Sequence, residues 1–125
     1  MEAIKVSVVV PVYNVDEFLD NTLSDITGQT LREIEIICVD DGSTDNSCKI
    51  IEEWMEKDSR IQLIRQKNQY AGVARNNGLK QAHGKYVIFW DADDLFEHNA
   101  LEAPALWHPG GVCTGGTGKL RYMYL

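Results

Sequence analysis

Residues 4–12 read IKVSVVVPV, a nearly unbroken run of β-branched side chains. A strand that alternated apolar and polar residues would bury one face. This one is apolar at both parities, which predicts a strand buried on both faces, the mark of a parallel sheet covered by helices. The chain beyond it bears out the same plan. From Val15 to about Gln29, Phe18, Leu19, Leu23 and Ile26 recur at helical spacing with polar residues between them. Ile34 to Val39 is a second apolar strand, stopped by DDGSTDNS at 40–47, a cluster of turn and helix-cap residues. Ser43, Thr44 and Asp45 are good N-cap types. The helix they open runs to about Lys57, with Ile50, Ile51, Trp54 and Met55 as its core stripe. Ile61 to Arg65 is a short third strand. Tyr70 to Ala82 is a third helix, with a stripe of small residues, Ala74, Gly78 and Ala82, that lets it approach the sheet closely. Tyr86 to Trp90 is a fourth strand. The order β-α-β-α-β-α-β with short connections predicts an α/β fold, a Rossmann-like, mostly parallel sheet with helices on both faces and right-handed crossovers.

In such sheets ligands sit beyond the carboxyl ends of the strands, where the strand order reverses. The ends of strands one, two and four read PVYN, DDGS and DADD, and all three are expected on one edge. The bulk numbers narrow what could bind there. With 125 residues the chain suits one domain. Its net charge of −7 argues against non-specific nucleic-acid binding, yet leaves room for a phosphate-bearing ligand held through a divalent cation. No apolar run reaches the ~20 residues of a membrane span. The start lacks a convincing signal peptide, so the expected location is the cytoplasm. Cys38, Cys48 and Cys113 show no CxxC spacing and fit reduced thiols, and His83, His98 and His108 show no zinc pattern.

Each motif carries a chemical reading beside a plainer one. In DADD, Asp91 and Asp93 straddle a turn and can reach a shared point outside the sheet, where Mg²⁺ or Mn²⁺ would accept oxygen ligands and bind a diphosphate. The plainer reading is a solvated acidic turn with Asp94 as an N-cap. In DDGSTD, Gly42 permits a positive φ. Asp40 and Asp41 would repel phosphate but can accept a donor such as uracil N3–H or a hydroxyl; the alternative is a capped turn. In PVYN, Pro11 ends strand pairing, Tyr13 offers a face for a base, and Asn14 caps the next helix; a packed strand exit is the alternative. Arg75, in AGVARNNGL, can pair with one of the site carboxylates or reach a ligand phosphate; the plainer reading is a structural ion pair that holds Asp40 or Asp41. GGTGKL at 115–120 is not a phosphate loop, because Cys113 and Leu120 stand where Gly and Ser or Thr are needed.

Together, VSVVVPVYN, IICVDDGSTDNS, AGVARNNGL and YVIFWDADD resemble the N-terminal half of the family 2 glycosyltransferases, which have the GT-A fold, over roughly residues 4–102. The resemblance implies a nucleotide-diphospho-sugar donor, with a UDP-sugar favoured, a Mn²⁺ or Mg²⁺ ion, and inverting transfer to a glycan or lipid-linked acceptor. Carried over residue by residue, Pro11, Val12 and Tyr13 line the nucleotide pocket and Asp41 contacts the base with Asp40 beside it. Arg75 lies near the nucleotide. Asp91 and Asp93 match the D-x-D motif, with Asp93 the direct metal ligand. A lipid-linked acceptor would put the protein at the inner face of a membrane.

Residues 1–102 are thus read as the donor-binding domain. Residues 103–125 form a Gly- and Pro-containing tail with no assignable regular element and no likeness to the family's continuation. Glu97 and Glu102 are the nearest carboxylates after the motif, and neither is marked as the general base. The expectation is a truncated, donor-binding half that binds nucleotide with metal weakly and transfers sugar poorly or not at all. Two readings compete. One is a non-catalytic nucleotide-binding module. The other is a haloacid-dehalogenase-type phosphatase, whose D-x-D lies on the first strand and is followed by Gly and Thr, unlike the Asp94 and Leu95 found here.

Overall fold

The structure is a computed structural model that describes residues 4–93, 98, 100–102 and 121–124. The expected cap Asp94, the carboxylate Glu97, and Cys113 and His108 of the tail lie outside the described residues. The elements are β1 (Val6–Val12), α1 (Asp16–Thr27), β2 (Ile34–Asp40), α2 (Ser47–Lys57), β3 (Ile61–Arg65), α3 (Ala71–Gln81), β4 (Tyr86–Phe89), a short 3-10 turn (Ala100–Glu102) and β5 (Arg121–Tyr124). The sheet order is β3-β2-β1-β4-β5. β1 to β4 are mutually parallel, and β5 runs antiparallel to β4 at the edge. The α/β reading therefore holds, and the strand order reverses between β1 and β4.

Both faces of β1 are buried for the reason its composition gave. Val6, Val8, Val10 and Val12 pack with Leu19, Leu23 and Ile26 of α1 and Ile51 of α2. Val9, of opposite parity, packs with Ile37, Val39, Val87 and Ala74 of α3. Two helices thus cover one face and the third covers the other. Two side chains expected in the core are at the surface instead: Phe18 and Met55 are 41% and 37% exposed. Each sits at the rim of its helix stripe, and Thr22 of α1 is buried in the position a wider apolar stripe would have filled.

The small-residue stripe on α3 does what its spacing suggests. A Cβ on Gly78 would stand 2.4 Å from Val9 Cγ1 and 3.2 Å from Val39 Cγ2, both buried. Gly78→Ala is therefore expected to destabilise the protein by about 1–2 kcal/mol, because overpacking outweighs alanine's better helix propensity. Urea denaturation of the variant checks this.

In the tail, where the sequence supported no assignment, Arg121–Tyr124 forms a strand. RYMY is rich in strand-favouring residues, but four residues behind a glycine-rich stretch carry no readable period. The short turn at Ala100–Glu102 places Leu101 in the core beside α1. Leu101 N–H donates to the Gln29 side-chain carbonyl at 3.2 Å, and Thr30 N–H donates to the His98 carbonyl at 2.8 Å. No helix among the described residues is long and apolar enough to cross a membrane.

Candidate functional site

Register brings the motifs together. Val12 of β1 pairs with Asp40 of β2, which pairs with Arg65 of β3, so these strands end on one line. Asp41 N–H donates to the Val12 carbonyl at 2.8 Å, carrying the pairing one step past β2. Pro11 does not end the pairing as expected, since β1 continues through Val12. The reason is directional. The Val9 carbonyl accepts Trp90 N–H at 2.9 Å and so faces β4, and Pro11, two residues on, faces the same side. The last β1–β4 pair is Val9 with Phe89, so the missing N–H of Pro11 removes no ladder bond.

The loops after β1 and β2 are knitted into one unit. Three consecutive amides, of Asn14, Val15 and Asp16, donate to Ser43 Oγ, Ser47 Oγ and Asp45 Oδ2 at 2.9, 3.1 and 3.1 Å. In return Thr44 N–H donates to Asn14 Oδ1 at 2.8 Å and Asn46 N–H donates to Asp16 Oδ2 at 3.3 Å. α1 and α2 therefore cap each other's N-termini, and Asn14 caps the loop of its neighbour rather than its own helix. Asp45 is held below the usual carboxylate range: burial pushes it up, but hydrogen bonds from Ser47 and Asp16 outweigh that.

The two aspartates of DDGS divide their work. Asp40 is buried; its Oδ2 accepts the amides of Gly42 and Ser43, both at 3.2 Å, which fixes the turn where Gly42 takes φ +83°. Its Oδ1 is buried without a hydrogen-bond partner among the described residues. The nearby Cys48 thiol is pushed up to about 11, by burial first and then by the Asp40 carboxylate. Cys38, fully buried, is pushed up to about 12 by desolvation, so both thiols are free and protonated at neutral pH.

Asp41 points the other way, toward the 66–70 segment. Its Oδ1 accepts Gln66 Nε2 at 2.9 Å and Gln69 N–H at 2.7 Å, and its Oδ2 accepts Tyr70 N–H at 3.1 Å. Burial raises its pKa, but these donors bring the net value below the usual one. They belong to the connection between β3 and α3, QKNQY at 66–70, whose residue types gave no sign of a role. Gln66 in turn accepts a hydrogen bond at 2.5 Å from Asn77 of α3.

Arg75 does not hold Asp40 or Asp41, the plainer alternative read from the sequence. It pairs with Asp91, Nη2 to Oδ1 at 3.3 Å, with both side chains roughly two-fifths exposed. Between Asp91 and Asp93, Ala92 is buried and its carbonyl accepts the Thr22 hydroxyl of α1. That bond fixes the turn from below and leaves the carboxylates on either side of it. Asp93 is exposed. Sequence reading missed Thr22, because a buried hydroxyl on an apolar helix stripe looks like any core position. Among the described residues no cluster of three or more Asp, Glu, His or Cys forms a metal cage. Two hard carboxylates at an exposed edge suit Mg²⁺ or Mn²⁺, which take one or two protein carboxylates and fill the rest of the shell with phosphate oxygens and water.

Between the strand ends lies a cleft of about 340 Å³, lined by Pro11, Val12, Tyr13, Asp41, Asn68, Tyr70 and Ala74. Four of the expected nucleotide-contacting residues are thus together. Asp40 turns away into its own loop, and Arg75 follows Ala74 on α3 beside Asp91. The cleft offers aromatic and aliphatic walls with one anionic acceptor, a match for a flat heterocycle bearing an N–H.

The sequence profile of the family described as Glycosyl transferase family 2 matches residues 7–105. The chain is 47% identical over 98 residues to the glycosyltransferase GlyA of Streptococcus pneumoniae, an alignment that covers 78% of this chain and 14% of GlyA. It superimposes on Staphylococcus aureus TarS 1–349 in complex with UDP with a TM-score of 0.73 and 33% identity, over 78% of this chain and 30% of TarS 1–349. It shares the fold of the mannosyltransferase PcManGT from Pyrobaculum calidifontis, in complex with GDP-Man and Mn²⁺, at a TM-score of 0.80 and 23% identity, over 94% of this chain and 44% of that one. The chain therefore spans less than half the length of each of these relatives.

Proposed function

The chain belongs to glycosyl transferase family 2, and on that premise we propose that its cleft binds a nucleotide-diphospho-sugar, a UDP-sugar by preference, with Mn²⁺ or Mg²⁺ at Asp91 and Asp93. The observation that carries the reading is the convergence of Pro11, Val12, Tyr13 and Asp41 from two separate strand ends on one cleft. Pro11 and Val12 form its apolar wall, and Tyr13, 48% exposed, presents a ring to the base. Asp41 is an acceptor with about four lone-pair sites. Three are taken by Gln66, Gln69 and Tyr70, which leaves one for the imino N–H of uracil. Asp40 supports that position by holding the turn. The complex of TarS with UDP is consistent with this choice of base.

Arg75 faces the diphosphate, with Asp91 keeping its guanidinium in place until phosphate competes for it. A divalent ion held there would supply Lewis-acid stabilisation of the charge that grows on the leaving diphosphate. Asp93 is its direct protein ligand and Asp91 supports it. Inverting transfer to a glycan or lipid-linked hydroxyl is the reaction proposed for the whole protein, in the cytoplasm or at the inner face of a membrane. Donor binding is the part proposed for these residues, with transfer by the 125-residue chain alone weak or absent. No described residue is assigned as the general base; Glu97 and the side chain of Glu102 lie outside the described residues. The family match sets aside the phosphatase reading.

A thermal-shift panel of UDP, GDP, CDP and ADP, each with and without Mn²⁺, tests the proposal. UDP with Mn²⁺ is expected to give the largest rise in midpoint. The absence of a metal-dependent shift with every nucleotide would sink it, and incubation with a UDP-sugar and an acceptor would separate a binding module from a transferase.

A further inference from the structure

Tyr70 has a backbone conformation that its residue type does not favour. Its φ is 106° and its ψ 154°, a region occupied almost only by glycine. A bulky aromatic residue there is a true outlier, and Tyr70 is 82% exposed, so burial does not offset the strain. The strain is held by main-chain bonds on both sides: Tyr70 N–H donates to Asp41 Oδ2 at 3.1 Å, and its carbonyl accepts Ala74 N–H at 3.2 Å in the first turn of α3. A glycine would make both bonds without strain. What tyrosine adds is the ring, and Tyr70 is among the residues that line the cleft, with Tyr13, Pro11, Val12 and Asn68.

We propose that Tyr70 is a nucleobase-contacting residue, kept in a strained conformation so that its exposed ring stays at the cleft, and that Asp41 positions it through the Tyr70 amide. This rests on the nucleotide reading of the cleft and deepens it. Tyr13 and Tyr70 come from β1 and from the start of α3, so the base meets aromatic groups from two elements. A flat heterocycle is the ligand class that gains from such a site, because base–aromatic stacking is favourable for any base. Asp41 then selects among bases by needing an N–H.

The test compares the 125-residue chain with Tyr70→Gly and Tyr70→Phe, using UDP and inorganic pyrophosphate, both with Mn²⁺. Tyr70→Gly is expected to leave the thermal midpoint unchanged or raised, because the strain is relieved. It is expected to weaken UDP binding about ten-fold with pyrophosphate unaffected. Tyr70→Phe should keep UDP affinity within about two-fold, since the ring is retained. Undiminished UDP binding by Tyr70→Gly overturns the proposal. So does an equal loss for UDP and pyrophosphate, which means the loop has moved rather than a base contact been lost. If the parent binds UDP no better than pyrophosphate, the base contact fails while the metal–diphosphate site stands. If the parent binds neither, the nucleotide reading itself fails.

Discussion

Replacing Asp93 with alanine abolishes the metal-dependent part of nucleotide binding, with affinity for UDP in Mn²⁺ falling by about 100-fold. Loss of groups that only orient metal ligands typically weakens metal binding by 10–100-fold, and loss of a ligand belongs at or beyond the upper end. The folded state is spared. Asp93 is exposed, and removing an exposed carboxylate changes stability by no more than about 0.5 kcal/mol. Asp91→Ala is the informative companion. Asp91 also pairs with Arg75, so its removal frees a cation that can attract the diphosphate directly. Its loss of affinity in Mn²⁺ is therefore smaller, and metal-free binding rises. Calorimetric titration with UDP in Mn²⁺ and in EDTA separates the two. An Asp93→Ala protein that keeps its Mn²⁺-dependent affinity would refute the assignment.

The second large effect belongs to Asp41. Asp41→Ala leaves Gln66 Nε2 and the amides of Gln69 and Tyr70 without their shared acceptor. Hydrogen bonds to a charged group are worth about 1.5–3 kcal/mol each but do not add fully. A loss of about 2–3 kcal/mol is expected, or roughly 10 °C in midpoint for a domain of this size, together with loss of nucleotide affinity. The pH dependence has a definite sign. The folded-state pKa of Asp41 is depressed below its usual 3.8. Its stabilising contribution is therefore fully present above that value and is lost as pH falls through the lower, folded-state value. Urea denaturation at neutral pH and at about pH 3 should show the gap between parent and Asp41→Ala shrinking in acid. A gap that widens in acid would contradict the arrangement.

The parts of this molecule legible in its sequence are those set by local pattern. The β-branched run at 4–12 reported a doubly buried strand, and the Ala74–Gly78–Ala82 spacing reported a helix pressed against the sheet, because each depends on neighbours within a few residues. Phe18 and Met55 escaped because a periodic pattern gives a face and not its width. β5 escaped because four residues carry too little period. At the site, residue type singled out Tyr13, Asp41, Asp91 and Asp93 as candidates, because they have chemistry of their own. It could not disclose that Arg75 chooses Asp91 over Asp40, a matter of which helix face meets which strand end. Nor could it disclose Thr22, Gln66 and Tyr70. Their hydrogen bonds run to partners on other segments of the chain, and residue type alone does not say which partner the fold brings near.

The mutual capping of α1 and α2 constrains how the site can vary. Surface loops ordinarily tolerate insertions because few bonds cross from one to another. Here the amides of Asn14, Val15 and Asp16 are matched one for one with side chains of the 43–47 segment. Adding a residue to either loop would shift every partner by one and strand several of these bonds at once. The two loops are therefore locked in length to each other, and diversification of this edge must come through the 66–70 connection, which is tied down mainly by Asp41.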